Sequence, residues 1–250
     1  MNDTGRLPAS ILFRTMCRCL LLQASWNFGR LQNIGFLFAM APALRWLYQD
    51  DDLEMAFARH LEKFNTHPYM AGPILGVSLE LEEKRRAGEE DLVDVENFKT
   101  MTMAPYGAMG DAFFWGGMRP LAAVIALFFA LYGSLLAPLV FVLVFNVPHF
   151  WCRLVWFWKG YRQGLGMVRT IQGWGFPDLA IRIKETTVIL LGGMCAYLVF
   201  LLTGEEGMPM VYGLLAAPLI CAGVFMVRKG CSSLALLISV ALMVFLSVGL

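Results

Sequence analysis

The segment 65–79 is apolar but begins with three polar residues, Asn65, Thr66 and His67. Their side chains supply neutral hydrogen-bond donors and acceptors, which a hydroxyl-rich ligand such as a sugar requires. The segment is too short to cross a membrane, and glycines and prolines interrupt it. Backbone of this kind is tolerated at membrane depth only inside protein or beside a cavity. Paired short, interrupted apolar segments are typical of binding sites in transport proteins.

The second such segment, 101–118, contains Asp111, which is the only acidic residue between Glu96 and Asp178. A charged side chain at the centre of a bilayer costs ~2.5–3.5 kcal/mol on insertion scales, so acids in such segments usually face a site or a partner. Two interpretations follow. Asp111 binds a ligand, or it pairs with Arg119 or with the backbone and only holds a turn.

We predict that the two segments form one site. Pro68 and Gly110 would let the backbone turn and present free N–H and C=O groups. The ring of Trp115 or Phe114 would offer an apolar face to the C–H side of a sugar. The predicted ligand-binding residues are Asn65, Thr66, His67, Gly110, Asp111 and Trp115.

Catalytic chemistry has less support in the sequence. His67 could accept a phosphoryl group or act with Asp111 as an acid–base pair, but a capping histidine before Pro68 explains the same pattern. The sequence context places His60 at the surface and His149 at the membrane interface. Motifs for nucleotide binding or an activated serine are absent, and the three histidines and six cysteines are too scattered to form a metal site. We therefore predict no catalytic residue, metal or cofactor.

The composition is that of a membrane protein. Of 250 residues, 58% are hydrophobic and only 16% are charged, against roughly 25% charged residues in ordinary soluble proteins. The formal net charge of +1 gives no basic field for nucleic acid, which excludes that class of partner.

The apolar run 120–147 has basic residues on both sides. Because basic flanks remain in the cytoplasm, both ends should lie on that side of the membrane. We predict a hairpin that turns near Gly133 and Pro138, and the alternative is one long bent helix.

Three more apolar segments follow, at about residues 186–203, 210–227 and 231–250. Each approaches the ~20 residues that cross the hydrocarbon core as a helix. The basic turn 228–230 should face the cytoplasm and the acidic turn 204–209 the outside.

Amphipathic segments complete the pattern. Residues 10–32 and the aromatic and basic residues 150–176 are predicted to be interfacial helices. The charged stretch 80–99 is predicted to be a solvated helix, supported by Glu82 and Arg86 four residues apart.

The predicted fold is an all-α membrane protein in three parts. Residues 1–119 hold amphipathic helices and two re-entrant segments. Residues 120–185 hold the hairpin and an interfacial helix, and residues 186–250 hold three transmembrane helices.

Three longer motifs in the chain carry a family resemblance. They are residues 22–36 (LQASWNFGRLQNIGF), 64–76 (FNTHPYMAGPILG) and 110–120 (GDAFFWGGMRP). These motifs resemble the signatures of the enzyme IID subunit of mannose/fructose/sorbose-type bacterial phosphotransferase systems. Two features depart from the family pattern. Gly29 precedes Arg30 where the family usually has glutamate, and the connection between the first two C-terminal helices is short.

The resemblance implies a multi-pass subunit of the bacterial inner membrane, in a hetero-oligomer with a polytopic IIC subunit. Together they would carry a hexose inward, while the cytoplasmic IIB and IIA subunits relay the phosphoryl group. A IID subunit helps to line the sugar path and carries no phosphorylated residue. The alternative is a transport-silent regulatory or docking membrane protein on the same scaffold.

Overall fold

The computed structural model describes residues 6–89, 92–205 and 210–248. In these ranges every regular element is helical, apart from isolated bridge pairs at Leu31, which confirms the predicted all-α class. The chain divides into two compact units, Met1–Leu190 and Leu191–Leu250. The α-helices are α1 (Ala9–Cys19), α2 (Asn33–Leu47), α3 (Asp50–His60), α4 (Ala71–Ala87), α5 (Val95–Gly110), α6 (Arg119–Leu131), α7 (Ala137–Gln163), α8 (Met167–Gly173), α9 (Phe176–Glu205), α10 (Met210–Arg228) and α11 (Ser233–Val248).

Two helical runs, Val95–Leu131 and Ala137–Leu201, are long and apolar enough to cross a membrane. Two more apolar helices, α10 and α11, follow them. Helices α9, α10 and α11 correspond to the three predicted C-terminal segments, and most of the predicted acidic turn, residues 206–209, lies outside the described residues.

The hairpin predicted in 120–147 is formed by α6, a short turn and the first part of α7, which continues beyond the predicted range to Gln163. Gly133 has a left-handed backbone with φ +65°. Its N–H donates to the Ala130 carbonyl at 2.9 Å, and the Ser134 N–H donates to the Phe129 carbonyl at 3.0 Å. This pair of bonds is the Schellman motif, which ends a helix at a glycine. The helix therefore stops where the sequence places a glycine, and α7 begins at Ala137, four residues after Gly133.

Helix α4 approaches the second half of α7 very closely. A Cβ atom on Gly72 would lie 2.4 Å from the Arg153 carbonyl oxygen, and one on Gly76 would lie 2.2 Å from that of Phe157. Small residues allow such backbone contact between membrane helices. The glycines of the segment 65–79 thus serve helix packing, since α4 starts at Ala71 and runs through both of them.

The segment 150–176, predicted as one interfacial helix, is divided between the end of α7, α8 and the start of α9. The Trp156 and Phe157 side chains are fully buried, because this part of α7 packs on α4. Arg153 is also buried, and its Nη2 donates to the carbonyl oxygen of Cys19 at 2.6 Å. It thereby satisfies a carbonyl at the C-terminal end of α1, where a positive charge is favourable.

The backbone turn predicted at Gly110 is absent. Gly110 is helical, with φ −64° and ψ −42°, and the chain continues through a π-helical segment, Asp111–Met118, into α6. Pro105 also lies inside a helix, α5. The segment 101–118, although interrupted by glycines and a proline, therefore forms a continuous helix with a wider π-helical part, and the chain does not reverse its direction there. Such π-helical segments are rare and occur frequently at functional sites.

Glu82 is not part of a solvated helix face, and its predicted pairing with Arg86 is wrong. Its side chain is 0% exposed and accepts hydrogen bonds from Tyr48 Oη at 2.7 Å, His60 Nε2 at 2.9 Å, and Arg59 Nε and Nη2 at 2.9 and 3.0 Å. Arg86 instead donates to a backbone carbonyl at the end of α2. The cluster joins α3 to α4 through a buried charge.

The same cluster corrects the position of His60, which is fully buried and not at the surface. Burial lowers the pKa of the His60 imidazole to about 4, so the ring is neutral near pH 7. Burial alone would raise the pKa of Glu82, but the hydrogen bonds from His60 and Arg59 and the Arg59 charge hold it at about 2. Glu82 is therefore an ionised carboxylate inside the core, and Arg59 is the cation that compensates it.

Candidate functional site

A cleft of ≈ 560 Å³ brings the predicted site residues together. Asn65, Thr66, His67, Asp111 and Trp115 all line it. Thr66 and His67 are buried, whereas the other three side chains are exposed. The cleft thus has a buried polar end and an open rim.

Gly110, the sixth predicted residue, lies directly against the imidazole of His67. A Cβ atom at this position would be 2.3 Å from the His67 Cβ atom and 2.3 Å from its ring Cγ atom. Such a separation is far below van der Waals contact. Glycine at position 110 is therefore needed to seat His67 against α5, and not to turn the backbone.

His67 caps the short 3₁₀ turn Pro68–Met70, as the alternative hypothesis predicted. Its Nδ1 accepts a hydrogen bond from the Tyr69 N–H at 3.2 Å. Because Nδ1 accepts, the ring is in the neutral form that carries its hydrogen on Nε2. Nε2 is buried and has no hydrogen-bond partner among the described residues. The imidazole stacks on Phe114, with ring centroids 5.4 Å apart and an interplanar angle of 14°.

Thr66 presents a second unpaired group beside His67. Its Oγ1 is buried and has no partner within the described ranges. A buried polar atom without a hydrogen bond costs about 1–3 kcal/mol. Thr66 and His67 are thus adjacent residues of the cleft, and each has a buried polar atom without a hydrogen bond.

Asp111 is exposed at the rim, and no hydrogen bond or ion pair holds its carboxylate in the part of the chain that the structure describes. The alternative pairing with Arg119 is not formed. The Arg119 guanidinium instead lies 5.7 Å from the Trp115 ring centroid and 5.8 Å from that of Phe145. Asp111 is thus available to a ligand or to another chain.

Trp26, Gln32 and Lys63 also line the cleft, although nothing in the sequence around them predicts a site residue. Among residues 6–89, 92–205 and 210–248, no three His, Cys, Asp or Glu side chains lie close enough together to hold a metal ion.

A family-wide sequence model matches residues 6–249, and its description is the IID component of the mannose/fructose/sorbose family of phosphotransferase systems. The chain belongs to this family. The resemblance found in the three motifs is thereby confirmed over almost the whole sequence.

Curated relatives of this IID chain carry the same component name. The mannose-specific EIID component of Escherichia coli strain K12 is 41% identical over 171 residues, which are 67% of this chain and 60% of that protein. The sorbose-specific EIID component of Lacticaseibacillus casei is 35% identical over 72% of this chain and 63% of its own length. The fructose permease IID component of Bacillus subtilis is 32% identical over 69% of this chain and 64% of its own length. The matched part thus spans less than two thirds of each relative.

Two solved structures resemble the IID chain along its length. One is a cryo-EM structure of the mannose transporter ManYZ in complex with microcin E492, with a TM-score of 0.61. The other is described as the structure of a membrane protein and has a TM-score of 0.77. Each is 30% identical and covers 98% of this chain and 97% of the matched chain.

The three signature segments of the IID chain meet at the cleft. Trp26, Thr66 and Asp111 come from the first, second and third of them, and all line it. Segments separated by dozens of residues thus supply a common surface. This location makes the cleft the candidate functional site of the IID chain.

Proposed function

We propose that this chain is a membrane subunit of a phosphotransferase-system sugar permease, and that its cleft forms part of the hexose path. The unpaired, buried Thr66 Oγ1 and His67 Nε2 carry this proposal. A hydroxyl group of a sugar can donate to the first and accept from the second, which would satisfy both at once. Exposed Trp115 provides an aromatic face at the same cleft for the sugar's C–H groups.

A IIC subunit is the partner that would complete the path. Asn65, Asp111 and Trp115 are exposed at the rim, so this chain supplies only one wall of a binding site. A resembling structure is a complex of the transporter ManYZ, which supports a hetero-oligomer here. IIB and IIA would supply the phosphoryl group from the cytoplasm, and the complex would lie in the bacterial inner membrane.

The proposal is tested by co-expressing the chain with a IIC subunit, IIB and IIA in cells that lack their own mannose-type permease. Uptake of radiolabelled mannose, fructose and sorbose is measured with and without the chain. Uptake of any one of these sugars that requires the chain supports the proposal. A stable complex that transports none of them would favour the transport-silent regulatory alternative.

Replacing Asp111 by asparagine is expected to weaken uptake while assembly with IIC stays intact. A lost charge-assisted hydrogen bond is worth roughly 1.5–3 kcal/mol, which corresponds to about ten- to a hundredfold in apparent affinity. Uptake kinetics and co-purification with IIC are measured together. Asp51→Asn, a change at an exposed acid of α3, is the control. Normal uptake by Asp111→Asn would remove this residue from the sugar path.

The membrane topology gives a further prediction. Arg228 and Lys229 should keep the turn 228–230 in the cytoplasm, since basic loops stay inside. A cysteine placed at position 229 should react with a membrane-impermeant thiol reagent only in opened cells, and a cysteine at position 206 should react in intact cells. The native cysteines are first replaced by serine. Labelling of position 229 but not 206 from outside would reverse the orientation.

A further inference from the structure

Resting on the proposed function, we propose that Gln32 is the positioning residue that fixes Thr66 and His67 in the cleft. Gln32 lies in the first signature segment, 34 residues before Thr66. Its side chain binds the Thr66 backbone directly. It thereby sets the positions of the Thr66 hydroxyl and the His67 imidazole for a ligand.

The geometry is a reciprocal pair of hydrogen bonds. The Gln32 Nε2 donates to the Thr66 carbonyl oxygen at 2.8 Å, and the Thr66 N–H donates to Gln32 Oε1 at 3.0 Å. The Gln32 residue is only 2% exposed. One side-chain amide therefore satisfies both backbone groups of Thr66, as a neighbouring strand would.

The segment that Gln32 holds has no regular structure of its own. It begins at Leu61, directly after the last residue of α3, and continues to the 3₁₀ turn after His67. Its first residue is fixed separately, because the Leu61 carbonyl oxygen accepts from Asn33 Nδ2 at 2.7 Å and from Arg30 Nη1 at 3.1 Å. The Gln32 backbone N–H also donates to the Phe64 carbonyl at 2.9 Å. The Gln32 side chain thus makes the hydrogen bonds that hold the backbone at Thr66, the residue before His67.

Only an amide can make both bonds at position 32. Methionine has a similar length and shape but neither donates nor accepts here, and glutamate when ionised can only accept. Loss of the amide leaves the buried N–H and C=O of Thr66 unpaired, which is costly enough to shift the backbone toward other partners. A displacement of Thr66 and His67 of about 1 Å is sufficient to disturb a fitted polar site.

The test is uptake kinetics in the assembled complex with IIC, IIB and IIA. Gln32→Met is expected to raise the KM for sugar about tenfold and to change the maximal rate less than twofold. Gln172→Met, at an exposed glutamine of α8, is the matched control and should leave KM unchanged. A purely structural role would lower the amount and thermal stability of the complex without changing the KM of the assembled fraction.

Gln32→Glu is the second variant, and it should also raise KM because it cannot donate to the Thr66 carbonyl. An unchanged KM in both variants, or failure of both to assemble, overturns the positioning role.

A double variant separates this inference from the proposed function. If Gln32 acts through His67, then Gln32→Met should raise KM clearly less than tenfold when it is added to His67→Ala, because effects on one shared site are not additive. If the increase in KM of the double variant equals the product of the increases in the two single variants, the inference is contradicted. If His67→Ala alone leaves uptake normal, the proposed site itself is wrong. If His67→Ala raises KM but Gln32→Met does not, only the positioning role of Gln32 fails.

Discussion

Replacing Gly110 by alanine should reduce sugar uptake by about 100-fold or more, although alanine is the better helix former. The new methyl group would lie 2.3 Å from Cβ and Cγ of His67, so the imidazole must move. A misplacement of about 1 Å in a polar site can cost roughly 100-fold. The helix itself is not weakened, since alanine in a helix interior is about 0.5–1 kcal/mol more favourable than glycine.

Gly107→Ala is the matched control for this change. It also lines the cleft, one turn earlier in α5, but its Cβ would be 3.7 Å from the backbone nitrogen of His67 and from the Thr66 Cα atom, an ordinary contact distance. Initial uptake rates are compared after the amount of complex in the membrane has been measured. Wild-type rates for both Gly110→Ala and Gly107→Ala would show that the position of His67 is irrelevant to transport.

Replacing Glu82 by glutamine should lower the free energy of unfolding by about 3–5 kcal/mol, the usual cost of removing one partner from a buried ion pair. The change preserves the shape of the side chain but leaves Arg59 without its buried counter-charge. For a domain of this size the melting temperature should fall by roughly 10 °C. Thermal unfolding in detergent, followed by helical circular dichroism, measures the effect.

Glu54→Gln provides the comparison for Glu82. Glu54 is an exposed acid on α3, and substitutions at such positions usually stay within about 0.5 kcal/mol. Equal melting temperatures for the Glu82→Gln and Glu54→Gln variants would mean that the buried charge contributes nothing to stability.

The convergence of Asn65, Thr66, His67 and Asp111 at one cleft could be anticipated from residue types. Polar residues inside two short apolar segments must lie within protein or beside a cavity, and a shared site provides such a place. The turns at Gly133 and near Arg228 could also be anticipated, because a glycine or a basic pair separates two apolar runs there. These features depend on local composition, which a single sequence displays.

Long-range contacts account for the features that the sequence did not reveal. The amide of Gln32 meets Thr66 from 34 residues away, and nothing near position 32 identifies that partner. Glu82 stands in a stretch of charged residues, yet α3 covers it and supplies Arg59 and His60. Gly110 is indistinguishable in the sequence from a helix breaker, because the ring that requires it lies on another segment.

The location of bound sugar in the assembled complex tests the central claim most directly. The chain is co-purified with its IIC subunit, and a cryo-EM structure is determined with the sugar that the uptake assay identifies. We predict sugar density in the cleft, with hydroxyl groups within about 3 Å of Thr66 Oγ1 and His67 Nε2. Sugar density enclosed entirely by the IIC subunit, with both of these atoms still unpaired, would contradict the account.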